Sequence, residues 1–224
     1  MQLRLVLASN SPRRRQLLAM TGWSFSVIPA EIDESIHPEE DPRQYVQRMA
    51  ESKAKIVSDQ VHADCLVIGA DTIVVDEDGT GKEVILGKPV DAKDAFNILN
   101  HLRGHEHKVY TALAVVRALD GKVLSTLDTT RVCMRDYKQE EIAAYIETGD
   151  PFDKAGAYAI QHEAFHPVEN LEGCYATVVG LPLCLVVRIL MDFDVQPLTD
   201  ITRDCRRDLS SPCLVYQQVV NEEL

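Results

Sequence analysis

The stretch from Leu5 to Leu18, Leu-Val-Leu-Ala-Ser-Asn-Ser-Pro-Arg-Arg-Arg-Gln-Leu-Leu, constrains the fold more than any other. Leu3, Leu5, Val6 and Leu7 form an apolar run that reads as a buried strand. Ser11 is placed to cap a helix, with Pro12 at its first position, where a missing N–H costs nothing. Leu17, Leu18 and Met20 supply the apolar side of that helix, and Gly22 suits the left-handed residue that ends it. Arg13, Arg14 and Arg15 are out of place in this pattern. A cation in the first turn is repelled by the positive end of the helix dipole, at about 0.3–1 kcal/mol each. Free N–H groups at the same end, joined by guanidinium groups, make an anion site. Arg13 and Arg14 are read as facing an anion; Arg15 is read as facing either the anion or water.

With 224 residues the chain can bury a proper core, as one domain or as two lobes around a cleft. Lys and Arg number 23 against 35 Asp and Glu, a net charge of −12. Such a balance argues against a nucleic acid or an anionic membrane as the main partner, while leaving room for a small anion in a local basic pocket. No run approaches the ~20 apolar residues of a spanning helix. Arg4 interrupts the first apolar residues and no small-residue cleavage site follows, so no secretory signal is expected. The six cysteines form no C-x-x-C pair, and Cys65 and Cys184 sit in apolar runs as buried thiols. A cytoplasmic protein is expected.

Trp23, Phe25 and Val27 alternate with polar residues as a half-buried strand does. In the acidic loop that follows, Glu31-Ile-Asp-Glu34, the carboxylates are either solvated or, at Asp33 or Glu34, help hold a divalent cation. Asp41, Pro42 and Gln44 mark a helix start, and Tyr45, Val46, Met49, Ala50, Ile56 and Val57 give its apolar face. Lys53 flanks that face like a surface lysine. The run Cys65–Ile68 reads as a strand covered on both faces, ending at Gly69-Ala-Asp-Thr72 and resuming at Ile73–Val75. Asp71 is therefore expected at or near a strand end, where open α/β sheets bind ligands. A carboxylate there needs a partner, a cap or a turn.

Further on, Asp78-Gly79 marks a turn and Gly87-Lys88-Pro89 holds a lysine in a tight bend. Asp91 caps a helix through Leu102, stopped by Gly104. Strands over Val109–Leu119 and Val123–Val132 are joined through Asp120-Gly121, a hairpin signal. His105 and His107 lack a third ligand at zinc spacing and are assigned structural roles. Asp136 with Gln139 predicts another capped helix, stopping at Gly149. Around Lys154 small residues allow close approach, and Gln161 ends an alternating, strand-like run. Gly180-Leu-Pro-Leu begins a last helix; beyond Gln196 come a mixed-charge run, Asp200 to Asp208, and an apolar patch, Leu214 to Val220.

A basic helix start, lysines near Gly-rich bends and carboxylates at strand ends suit a polyphosphate ester, a divalent ion and water as nucleophile. Walker A, G-x-G-x-x-G and G-x-S-x-G motifs are absent, which removes local support for kinase, dehydrogenase and serine hydrolase readings.

Eight blocks sharpen this reading: Ala8-Ser-Asn-Ser-Pro-Arg-Arg14, Ile32-Asp-Glu34, Glu51-Ser-Lys-Ala54, Gly69-Ala-Asp-Thr72, Gly87-Lys-Pro89, Val109-Tyr-Thr111, Asp153-Lys-Ala-Gly-Ala-Tyr158 with Gln161, and Val179-Gly-Leu-Pro-Leu183. Together, over residues 3 to about 194, they resemble the Maf family of nucleoside triphosphate pyrophosphatases. The resemblance implies an α/β fold, a mixed twisted sheet with flanking helices in two lobes around a cleft, similar to inosine triphosphate pyrophosphatases. It also implies cleavage between the α and β phosphates with Mg2+ or Mn2+, and a homodimer. By position, Asp71 matches the proton acceptor, and Arg13, Thr72 and Gln161 match the residues that sort members by base. Ser9, Arg14, Lys53, Lys88 and Lys154 fall on phosphate-holding positions, and Glu34 joins Asp71 as a metal partner. Arginine after Ser-Pro, threonine after the aspartate, and this glutamine resemble the dTTP/UTP-cleaving branch; the 7-methyl-GTP branch has tryptophan at the first position. The segment His162–Glu169 departs from the family pattern. The domain is expected over residues 1–195, with 196–224 an extension of unassigned role. The alternatives are a non-catalytic nucleotide-binding regulator of cell division and a related enzyme with another base preference.

Overall fold

The computed structural model describes residues 3–61 and 64–208. Its elements run β1 (Arg4–Leu7), α1 (Pro12–Ala19), β2 (Phe25–Val27), α2 (Pro42–Ser58), β3 (Cys65–Glu77), β4 (Glu83–Leu86), α3 (Ala92–Leu102), β5 (Glu106–Arg117), β6 (Val123–Met134), α4 (Gln139–Glu147), β7 (Val168–Glu172), α5 (Tyr175–Val179), α6 (Leu183–Met191) and α7 (Ile201–Asp208). Seven strands form one mixed sheet in the order β2-β1-β3-β5-β6-β7, with β4 paired to β3. The first two pairings, β1 with β2 and β1 with β3, are parallel, and the rest are antiparallel. This is the mixed α/β architecture expected from the sequence.

Alternation along the long strands divides the core. One face of β3 and β5 (Cys65, Val67, Ile73, Val75, Tyr110, Ala112, Ala114) packs against α2. The opposite face carries two clusters. Leu66, Ile68, Leu113 and Val115 pack with α1 and α6. Val74 and Val109 pack with α3 and α4. Between those clusters, on the same face, the cross-strand pair Thr72 and Thr111 breaks the apolar surface. β3 and β5 run through both of these clusters.

Local signals act as expected at several ends. Asp41 Oδ1 accepts from the N–H groups of Arg43 and Gln44 at 2.9 and 3.0 Å, fixing the start of α2. Asp91 caps α3, and Gly104 and Gly149 take positive φ after α3 and α4. Four expectations are corrected. Asp136 does not start α4: buried Tyr137 donates to the Leu99 carbonyl at 2.7 Å, so the helix begins later, with Lys138 N–H donating to Glu141 Oε2 at 2.8 Å. The run before Gln161 is not a strand, because Gly156 (φ 69°) and Ala157 (φ 60°) turn the backbone through short 3-10 turns. Nor is α6 the last helix. Past it, Trp23 Nε1 donates to the Gln196 carbonyl at 2.9 Å, Thr199 Oγ1 donates to the Met20 carbonyl at 3.0 Å, and Ile201 of α7 is buried in the first core cluster. The extension thus starts as part of the packed body; the patch Leu214 to Val220 lies outside the described residues. Finally, β3 is continuous, because β5 pairs with it from Leu66 to Val75 without a break. Among the described residues no helix is long and apolar enough to cross a membrane.

Candidate active site

One edge of β3 pairs with β5 from Leu66 to Val75. On its other edge β1 pairs with Cys65–Ile68 and β4 with Val74–Glu77, which leaves residues 69–73 open between two neighbours. Asp71 and Thr72 sit in that gap. Asp71 is therefore not at a strand end as expected; it lies mid-strand, level with the space just past the carboxyl end of β1. The ligand-binding rule for α/β sheets still finds the place, through β1 rather than β3. The gap opens on a cavity of about 330 Å³, lined among others by Arg13, Arg14, Glu34, Lys53, Asp71, Thr72, Lys88, Lys154 and Gln161.

Lys53 is the largest departure from expectation. It is only 8% exposed, and its Nζ lies 2.6 Å from Asp71 Oδ1 and 2.6 Å from Glu34 Oε1. Gly69 makes this possible: a Cβ there would meet the Ala50 carbonyl oxygen at 2.3 Å and Ala54 N at 2.7 Å, so only glycine lets α2 lie this close to β3. Burial alone would raise the Glu34 carboxyl, but the Lys53 hydrogen bond and charge, helped by Lys88 and Arg14, hold it below its ordinary value. Tyr45, read from sequence as a core residue, also lines the cavity and donates to the Glu34 carbonyl at 2.9 Å. Burial, with Asp71 and Glu34 adding to it, pushes its phenol up to about 12.

On the other face, Arg14 Nε donates to the Gly180 carbonyl at 2.9 Å and its Nη2 to Thr72 Oγ1 at 3.2 Å. Thr72 and Thr111 hydroxyls are 2.9 Å apart, and Thr111 Oγ1 donates to the Thr177 carbonyl at 2.7 Å. A hydroxyl has one proton, so Thr111 spends its own on Thr177 and must accept from Thr72. The Thr72 oxygen can then act toward the cavity only as an acceptor. Burial pushes the Arg14 guanidinium below its ordinary value, although it stays a cation at neutral pH. Ser9 is buried behind it, accepting from Ser11 N–H at 3.2 Å, and does not line the cavity. Arg15 is exposed, which settles its alternative in favour of solvent.

Arg13 Nη1 pairs with Asp153 Oδ2 at 3.3 Å across the cavity mouth. Lys154 donates to the Asp150 carbonyl (2.6 Å), Asp150 Oδ1 (2.8 Å) and Asp153 Oδ1 (2.6 Å). The two aspartates, four and one residues before the lysine, are a local signal of this arrangement in the sequence. Thr177 carries no such signal, and Thr111 lies in a family block without an assigned role, since the parts of both depend on contacts between distant segments. Lys88 and Gln161 are exposed on the cavity wall, and Lys88 makes no ion pair among the described residues. His105 Nε2 lies 3.0 Å from Asp76 Oδ1, and His107 Nε2 lies 2.8 Å from the Tyr158 hydroxyl, so the two serve separate structural contacts.

The cavity is a slot lined by cations and by the carboxylates of Glu34, Asp71 and Asp153. It suits a polyanion and one proton transfer. Among the described residues no group of three or more His, Cys, Asp or Glu is arranged to hold a metal ion unaided. Glu34 and Asp71 nevertheless offer two hard oxygen donors of the kind that Mg2+ or Mn2+ takes.

Residues 4–193 match the family model described as Maf-like protein. The chain is similar to a dTTP/UTP pyrophosphatase of Hahella chejuensis (strain KCTC 2396), 47% identical over 201 residues, with 88% of this chain and 96% of the relative covered. It is also similar to a dTTP/UTP pyrophosphatase of Thermoanaerobacter sp. (strain X514), 44% identical over 197 residues, covering 88% and 100%. Among solved structures, the chain is similar to the Staphylococcus aureus Ham1 protein over 60% of this chain and 73% of that one, at 14% identity and a TM-score of 0.42.

Proposed function

The chain belongs to the Maf family, and on that premise we propose that it hydrolyses nucleoside triphosphates, dTTP and UTP foremost, to the monophosphate and pyrophosphate. The observation that carries this reading is Asp71 held by Lys53 inside a cavity whose other walls present Arg13, Arg14, Lys88 and Lys154. Arg14, Lys88 and Lys53 supply positive charge for the phosphates, with Lys154 fixing the wall beside them and Ser9 the turn that aims Arg14. In the nucleotide-free protein Lys53 holds Asp71 Oδ1, the oxygen that would face a metal in the same slot, which leaves Oδ2 for a proton. The water oxygen bonds to phosphorus at the α,β anhydride, the bridging P–O bond breaks, and pyrophosphate leaves. Asp71 Oδ2 takes the water proton and later returns it to solvent. Glu34 and Asp71 would hold Mg2+ or Mn2+, which when bound neutralises phosphoryl charge and acidifies water.

At the base end, Arg13, Thr72 and Gln161 select the pyrimidine. Thr72 is an acceptor toward the cavity, which suits the ring N–H of thymine and uracil. We place the chain in the cytoplasm, where the buried thiol of Cys65 stays reduced, and the homodimer implied by the family belongs to the same proposal. The test is pyrophosphate release from dTTP, UTP, CTP, ATP and GTP with Mg2+ or Mn2+. dTTP and UTP should turn over and ATP and GTP stay mostly intact. Equal rates for all five would overturn the base selection, and no release from any would favour a non-catalytic binder.

A further inference from the structure

The slot between Glu34 and Asp71 is already filled by a cation, the Lys53 ammonium, at 2.6 Å from each carboxylate. Metal-bound oxygens lie about 2.0–2.1 Å from Mg2+. The two carboxylates would need only to close a little about a metal in the same slot, but an ammonium and a divalent ion repel and cannot share it. Lys53 reaches the slot from α2, whose backbone cannot draw back into β3, because Ala50 and Ala54 already lie against Gly69. Its ammonium head is therefore the part free to move, and the cavity is the space open to it. Two of its three N–H groups serve the carboxylates, which leaves one for a phosphoryl oxygen. With no third acidic or imidazole ligand arranged nearby among the described residues, the metal needs phosphate oxygens to complete its shell.

We propose that Lys53 is a built-in stand-in for the divalent cation: it holds Glu34 and Asp71 together in the nucleotide-free protein, and the triphosphate draws it onto a phosphate and so opens the slot to the metal. Metal and nucleotide then bind cooperatively, each raising the affinity of the other by the same factor. Without nucleotide the two carboxylates stay charge-paired, and free metal binds poorly.

The proposal rests on the triphosphate reading of this cavity, and the experiment separates the two. Mn2+ binding to the full chain is measured by calorimetry and by the electron paramagnetic resonance signal of free Mn2+. Wild type, Lys53→Met and Lys53→Arg are compared without nucleotide and with a dTTP analogue carrying a methylene bridge between the α and β phosphates. Without nucleotide, Lys53→Met should bind Mn2+ at least about 10-fold more tightly than wild type, and Lys53→Arg, which keeps the charge, should bind it as weakly as wild type. The analogue should tighten Mn2+ binding to wild type about 10-fold or more, and to Lys53→Met much less. Equal Mn2+ affinity in nucleotide-free wild type and Lys53→Met would overturn the proposal. Should Lys53→Met not fold, Lys53→Gln takes its place, and wild-type binding that the bound analogue leaves unchanged would overturn the proposal without any variant. If the analogue does not bind at all, the triphosphate reading fails, while the nucleotide-free comparison still decides the role of Lys53.

Discussion

Lys53 and Lys154 are both buried, 8% and 7% exposed, and each lies between two carboxylates on the wall of one cavity. Their partners come from different distances. Lys154 is held within its own turn, by Asp150 four residues back and Asp153 next to it, and all three of its N–H groups are spent. The turn is tied in further: Tyr145 donates to Asp150 Oδ2 at 2.8 Å and accepts from the Ala159 N–H at 3.0 Å. Lys53 bridges a loop residue and a strand residue, with one N–H left over. A locally saturated lysine builds a wall; one held from afar and unsaturated can move charge. For Lys154 to reach a phosphate it must release Asp153, whose side chain is 64% exposed and already shared with Arg13.

Removing the acid from the Lys53 side should have the largest effect. Asp71→Asn keeps an oxygen for Lys53 but loses the proton acceptor, so kcat for dTTP should fall roughly 10²–10⁴-fold with the melting temperature close to wild type. Near-normal turnover in a folded protein would move the base elsewhere, with Glu34 next. Arg13→Trp tests the rim between the two lysines. Loss of a charge-assisted contact to substrate, worth about 1.5–3 kcal/mol, should lower kcat/KM for dTTP and UTP roughly 10- to 150-fold. Its pair with Asp153 is solvent-exposed, so stability should change by less than about 1 kcal/mol. Unchanged kinetics would place Arg13 outside the substrate's reach and leave α1 without an anion.

The smallest effect belongs to Lys154, and it reads as stability. Burial would raise Asp150 and Asp153, but Lys154, helped by the Tyr145 hydrogen bond at Asp150 and by Arg13 at Asp153, holds both carboxyls below their ordinary value. A depressed carboxyl stabilises the fold above its unfolded pKa, and that contribution is lost as the pH falls through the lower folded value. Lys154→Met should therefore cost about 1–2 kcal/mol at pH 7, limited by the exposure of Asp153, and the gap to wild type should shrink below about pH 4. Denaturant melts at pH 7, 5 and 3 measure it. A gap that stays constant with pH would mean that the stem of Lys154, not its charge, holds the turn.

What could be read in advance was local. Ser11-Pro12 and Asp41-Pro42 predicted their helix starts because a cap bonds only a few residues away. Asp120-Gly121 predicted the β5–β6 hairpin for the same reason. Asp71, Arg14 and Thr72 came together as the family blocks implied. Lys53 looked like a surface residue because its burial depends on Gly69, which brings a strand up against α2 from beyond the helix in the chain. Asp71 looked like a strand end because its small neighbours mimic a turn, whereas pairing with β5 carries the strand through them. Thr111 stands in a family block, but its part could not be read there, since it fixes which way the Thr72 proton points, and that is set by a carbonyl on α5.

Cleavage between the α and β phosphates is tested most directly by following dTTP with the wild-type protein and Mg2+ by 31P NMR. The expected products are dTMP and pyrophosphate, appearing together from the first time point. Initial formation of dTDP and orthophosphate would contradict it, because the bond broken would then be the one to the γ phosphate.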